Sequence, residues 1–159
     1  MDALRHVHSC GLVHCDSSGL IKLIDFGVAR RYQHPTTKEH IPESIILHRI
    51  GTTTYNSLNM HMHHNLSRRD DMEALAYAIA DPLCLGLPWM RANESTDILT
   101  IERSWTGPKI CIGYPAVFSS FIDYTRSLAF RDEPVYDAWR ARFLDLDAHG
   151  WQRPSSPDP

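Results

Sequence analysis

The sequence is short of lysine. Of its sixteen basic residues thirteen are Arg and only Lys22, Lys38 and Lys109 are lysines. Positive charge is not in excess either: the net charge is −3 with the ten histidines neutral. No global field therefore draws the chain to nucleic acid or to an anionic membrane surface. No run of about 18 apolar residues occurs, which excludes a membrane-spanning helix of the usual kind. The opening Met1-Asp2-Ala3-Leu4-Arg5-His6 has no apolar leader core. Cysteine is sparse: Cys10, Cys15, Cys84 and Cys111 form no C-x-x-C, so they read as reduced thiols of a cytoplasmic or nuclear protein. Glycine numbers eight and never occurs as G-x-G, so no glycine-rich loop is present to cradle phosphates.

What is present is an ordinary globular composition, 43% hydrophobic and 22% charged over 159 residues. That length suits one domain with a real core. The domain is expected over residues 1–148. Residues 149–159, which include Arg153-Pro154-Ser155-Ser156-Pro157-Asp158-Pro159, read as a disordered tail.

Hydrophobic spacing predicts a mainly α fold with a small β element. Residues 2–10 form a helix with Leu4, Val7 and His8 on one face, ended by Gly11. Leu12-Val13-His14 is extended, and Leu20-Ile21-Lys22-Leu23-Ile24 follows a Ser-Ser-Gly turn as a covered strand. Residues 33–66 lack periodicity and read as a long loop, functional or disordered. Ser67 caps a helix with Asp70 at its third position, and Met72, Leu75, Ala76 and Ile79 recur at helical spacing until Pro82 marks the exit. A compact apolar turn, Leu85-Gly86-Leu87-Pro88-Trp89, leads to a helix near 92–103. Val117, Phe118, Phe121, Ile122, Thr125 and Leu128 define another helix. Pro134 at a first helical position opens the last, with Val135, Tyr136, Trp139, Phe143 and Leu146 on one face.

The sharpest motif is Asp25-Phe26-Gly27 after an apolar strand, where a carboxylate can hold a metal ion over a cleft. It does not stand alone. His14-Cys15-Asp16 lies upstream. Gly51-Thr52-Thr53-Thr54-Tyr55, Ser67-Arg68-Arg69-Asp70-Asp71, Leu87-Pro88-Trp89 and Arg126 follow in order. The set resembles the C-terminal lobe of a eukaryotic Ser/Thr protein kinase, closest to the casein kinase I family, over about residues 4–147. The resemblance implies ATP and Mg²⁺ as cofactors, a protein substrate or docking partner, and no membrane or nucleic-acid partner. It implies that Asp16 accepts the proton of the substrate hydroxyl and that Asp25 holds Mg²⁺ on the phosphates. It also implies that Asp71 anchors the catalytic-loop backbone from below, whereas Asp70 points elsewhere, to the surface. The plain alternative for Asp71 is a helix-start carboxylate favoured by the dipole.

The pattern also has gaps. No strand carries a Val-Ala-Ile-Lys lysine, and thirteen residues before His14 are expected to hold no N-terminal lobe. Five residues after Asp16, where a metal-binding Asn belongs, stands Ile21; two after it, in place of Lys, stands Ser18. Asp16 is therefore either the catalytic-loop Asp or a hairpin Asp beyond a shortened stretch. The expected function is that of a kinase-family fragment inactive by itself. A docking module without catalysis and a truncated product without independent function are the alternatives. An uncovered lobe face near Leu20–Ile24 is expected to favour self-association. His61-Met62-His63-His64 reads as a solvated loop before a metal site, and Arg68-Arg69 as a helix-start charge pair before an anion site. Trp89, Trp105, Trp139 and Trp151 read as core or rim packing.

Overall fold

In a computed structural model of the chain, residues 1–14, 26–48, 50–90, 92 and 95–151 are described, residues 95–97 and Asp147 without their side chains. The architecture over these residues is mainly helical with one two-stranded sheet. The strand expected at Leu20–Ile24 and the tail beyond Trp151 lie outside the described residues.

Helix α1 (Asp2–Ser9) buries Leu4, Val7 and His8 and ends at Gly11, whose φ of +77° suits a residue without Cβ. Strand β1 (Leu12–Val13) pairs antiparallel with β2 (Arg30–Arg31), Leu12 opposite Arg31 and Val13 opposite Arg30. Val13 and Tyr32 are buried there, with Ile50 and Leu66 against them.

The long stretch 33–66 is not wholly irregular. It carries a 3₁₀ turn, Thr53–Tyr55, and the short helix α2 (Leu58–His61), capped by the Ser57 side chain, which accepts the Met60 N–H. Helix α3 (Arg68–Cys84) runs through the middle of the molecule. Its unbroken buried run from Arg69 to Ala74 leaves no single polar face, as expected of a helix covered all round. Its deepest residues are Asp71, Met72, Glu73, Ala76, Tyr77 and Ala80; Leu75 and Ile79, expected in the core, are half-buried. Pro82 does not end this helix. It sits in the last turn, and the chain leaves through Leu85 in the left-handed conformation, φ +57°.

Helices α4 (Ser95–Ser104), α5 (Gly107–Ile110), α6 (Ala116–Ser127) and α7 (Tyr136–Ala148) complete the order. Pro134 precedes α7 instead of opening it: the Tyr136 N–H bonds to the Pro134 carbonyl at 3.0 Å, and Val135 is left exposed. Helices α6 and α7 meet through aromatic rings, Phe121 and Trp139 at 5.0 Å and Tyr124 and Trp139 at 5.1 Å between centroids. The main core joins these helices to Leu4, Tyr77 and Trp89. Burying each such large side chain stabilises the fold by about 1.5–3 kcal/mol. Arg5 to Asp137 (2.6 Å) and Arg140 to Asp2 (3.1 Å) link the first helix to the last. Among the described residues, no helix is long and apolar enough to cross a membrane.

Candidate functional site

The start of α3 gathers the polar groups of interest. The Asp70 carboxylate accepts the Ser67 backbone N–H at 2.8 Å, so the helix is capped by its own third residue. Asp70 also accepts the Ser57 hydroxyl at 2.6 Å and is buried. The expectation that Asp70 faces outward is thus overturned: the cap and the Ser57 turn both draw it inward.

Asp71 is buried as well, with 1% of its surface exposed. Its Oδ2 accepts the backbone N–H of His14 at 2.6 Å and lies 2.8 Å from His8 Nε2. On its other side the ring meets the Tyr136 hydroxyl, 2.6 Å from His8 Nδ1. Burial pushes the Tyr136 hydroxyl well up, so it keeps its proton. The Tyr32 hydroxyl donates to the His8 carbonyl at 2.8 Å. Three elements thus meet at one carboxylate, α1 through His8, the end of β1 through His14, and α3 itself, and α7 joins them through Tyr136 on the far side of the His8 ring. Spacing puts His8 on the inner face of α1, but the sequence does not reveal Tyr136 as its partner.

Asp16 and Asp25 lie outside the described residues. The residues flanking that stretch are placed, and they meet. His14 is buried and its ring stands edge-on to Phe26 at 5.0 Å, while Phe26 keeps 52% of its surface exposed. The chain therefore leaves at His14, over Asp71, and returns beside it.

A second polar cluster lies deeper. The Tyr77 hydroxyl donates to Glu73 Oε1 at 2.5 Å and accepts Arg126 Nε and a terminal nitrogen at 2.9 and 2.8 Å. Glu73 also accepts the Leu58 N–H at 3.2 Å. Glu102 is fully buried, with His61 Nε2 3.5 Å from its carboxylate. Arg126 holds the Trp105 carbonyl and, at 3.3 Å, that of Glu102. Burial, only partly offset by Tyr77 and Arg126, raises Glu73 to about 6. Burial and the neighbouring Glu73 charge raise Glu102 to about 8. Burial and the Glu73 charge outweigh the attraction of Arg126, so Glu102 holds its proton at neutral pH. None of this cluster was legible as such in the sequence.

His61 is consequently not part of a solvated loop: α2 turns it into the interior, at 5% exposure. Among the described residues no three His, Cys, Asp or Glu side chains converge as a metal site would require. Arg68 and Arg69 are held internally. Arg68 donates to the Arg131 carbonyl at 2.8 Å and lies over the Tyr32 ring; Arg69 donates to Glu43 at 2.6 Å and lies over Phe130. Neither is a free surface charge. Trp89 and Trp139 are in the core, Trp151 packs on Phe118, and Trp105 is exposed at the rim. No protein-family model matches the chain.

Proposed function

We propose that the chain is the helical C-lobe of a Ser/Thr protein kinase of the casein kinase I type, unable to transfer phosphate with these 159 residues alone. The observation that carries this reading is the His14 backbone N–H on the buried Asp71 carboxylate. A carboxylate fixed at the start of a central helix and holding the backbone just ahead of Cys15-Asp16 is the support a catalytic loop needs. The meeting of His14 and Phe26 is a second support, since it returns the chain to the same place for Asp25-Phe26-Gly27. On this reading Asp16 accepts the proton of the substrate hydroxyl, and Asp25 would hold Mg²⁺ on the ATP phosphates. Neither is among the described residues. The sequence supplies no glycine loop, no strand lysine and no Asn at Ile21, which is why transfer fails without added parts.

Calorimetric titration of the chain with Mg-ATP is expected to give a Kd no tighter than millimolar, roughly −4 kcal/mol. A micromolar, magnesium-dependent site would overturn the claim of inactivity. The family reading is tested by repair. A kinase N-lobe fused before Met1, together with a Lys-Pro-x-x-Asn segment of about nine residues inserted after Asp16, should phosphorylate casein. Asp25→Asn should abolish that activity. A folded, doubly repaired chain without Asp25-dependent transfer would mean that the lobe has decayed beyond Asp16 and Asp25, and would favour the docking module over a repairable kinase. A second reading, a protein-docking module, is favoured by Ile45 and Leu47, which are 68% and 88% exposed in one segment.

A further inference from the structure

Among the described side chains of α4, Ile98 and Glu102 are the buried ones, and their spacing puts them on one face of the helix. Half of that buried grip is therefore a carboxyl group, and its surroundings do not match a charge there. From α2 it faces His61, with Nε2 at 3.5 Å. From α3 it faces Glu73 and Tyr77, and the Tyr77 proton goes to Glu73 at 2.5 Å. From α6 it faces Arg126, whose N–H groups point to the Tyr77 hydroxyl and to the main-chain carbonyls of Trp105 and Glu102. The same guanidinium lies 3.7 Å from Glu73. Arg103, on α4 itself, is exposed and turns to Met62. Neither oxygen of the Glu102 carboxyl makes a hydrogen bond of normal geometry among the described residues. A buried carboxyl group so placed is tolerated when neutral and costly when ionised. We propose that α4 is a pH-released arm, docked on α2 while the Glu102 carboxyl is protonated and freed from it as that carboxyl ionises.

The attachments of α4 decide which part moves. Its chief neighbour is α2, and the His61–Glu102 contact joins the two. Its far end is fixed differently. Arg126 holds the Trp105 carbonyl, and Asp123 accepts the Gly107 N–H at 2.7 Å, so α5 stays on α6 when α4 leaves. Opening brings Ile98 and Glu102 to water and uncovers His61. Burial and the Glu73 charge raise Glu102 to about 8 in the docked arm, against the ordinary 4.5 of a glutamate in water. The docked arm therefore keeps a proton that the open arm gives up over this interval. The open fraction grows by up to about tenfold per pH unit from about pH 5 to about pH 8, then levels. None of this rests on the kinase reading, because every group it uses is in the folded chain.

Amide hydrogen exchange of the full chain tests it, followed by NMR from about pH 5 to about pH 8 and divided by the rates of unstructured peptides. Amides of α4 should open at least about tenfold more often than those of α3 at each pH. They should respond little to low urea, because a local opening exposes little surface. Their open fraction should grow by at least about tenfold across the range, and in Glu102→Gln by less than about threefold. An α4 open fraction that stays flat with pH in the unsubstituted chain would overturn the proposal. So would α4 and α3 amides that share one open fraction and one urea dependence, since the helix would then leave only with the whole fold. Both results are read without any variant having to fold. Glu102→Gln that opens α4 about tenfold or more at about pH 5 would also overturn it, as the mark of an ion pair with a charged His61 in place of a neutral carboxyl.

Discussion

Asp70 and Asp71 are adjacent, yet their carboxylates serve different parts of the fold. Asp70 holds the Ser67 N–H and the Ser57 hydroxyl; Asp71 holds the His14 N–H and His8. Removing either leaves buried donors unpaired, so Asp70→Ala and Asp71→Ala should each cost about 1–3 kcal/mol by denaturant unfolding. Hydrogen exchange separates them. Asp71→Ala should deprotect the His14 amide and spare Ser67, and Asp70→Ala should do the reverse; loss of both amides in both variants would deny the division. Glu102 carries a pH prediction. Its folded pKa of about 8 lies above the ordinary glutamate value of 4.5, so the folded state binds more protons than the unfolded one between these values. Stability should therefore fall as pH rises from about 5 to about 8, by at most about 1.4 kcal/mol per pH unit for this group. Glu73, raised to about 6 beside it, adds to the slope in the lower part of that range. Glu102→Gln should flatten the melting temperature over this window; an unchanged profile would place the slope elsewhere. The candidate site was half legible at this scale. Asp71 was reached by resemblance and His8 by spacing, but Tyr136 and the Glu73–Tyr77–Arg126–Glu102 cluster are joined only by tertiary packing, which leaves no local pattern.

Among the elements, α1, α3, α6 and α7 follow from apolar spacing, because each has enough turns for a buried face to repeat. Helix α5 is too short to show a period and owes its place to one residue. A Cβ on Gly107 would come within 2.1 Å of the Ser119 carbonyl oxygen and 2.9 Å of Asp123 Oδ1, which itself accepts the Gly107 N–H at 2.7 Å. Backbone thus meets backbone where α5 crosses α6. Gly107→Ala should cost about 1–3 kcal/mol or more, because the obstacle is main chain. At Gly113, φ +83°, a Cβ meets nothing within 4 Å, so Gly113→Ala should show only the backbone cost of about 1 kcal/mol. Equal shifts in the unfolding midpoint would remove the steric argument. Helix α2 was missed for a related reason: its stretch is fastened by Ser57 on Asp70 and by the Leu58 N–H on Glu73, partners in another element. Pro82 and Pro134 misled about boundaries. A proline just ahead of a first turn meets no intrahelical demand, whereas Pro82 in the last turn forfeits one N–H donor, a loss the helix tolerates as it runs on to Cys84.

For the whole molecule, exposed apolar groups decide how copies behave together. Phe26, Ile45 and Leu47 are 52%, 68% and 88% exposed. Contiguous apolar surface favours association. Sedimentation should show an average mass that rises with concentration, and Phe26→Ser with Leu47→Ser should move it toward the monomer. A constant monomer mass at all concentrations would refute this. The links between α1 and α7 have a different consequence, for the order of synthesis. His8 and its Tyr136 hydroxyl, like Arg5 and Asp137, are joined across almost the entire chain. A ribosome releases Asp2–Ser9 early and its closing partner late, so Leu4, Val7 and His8 wait through most of translation for the groups that cover them. Closure of this end therefore waits until α7 has emerged, and contacts of such long sequence separation are the slow ones to form.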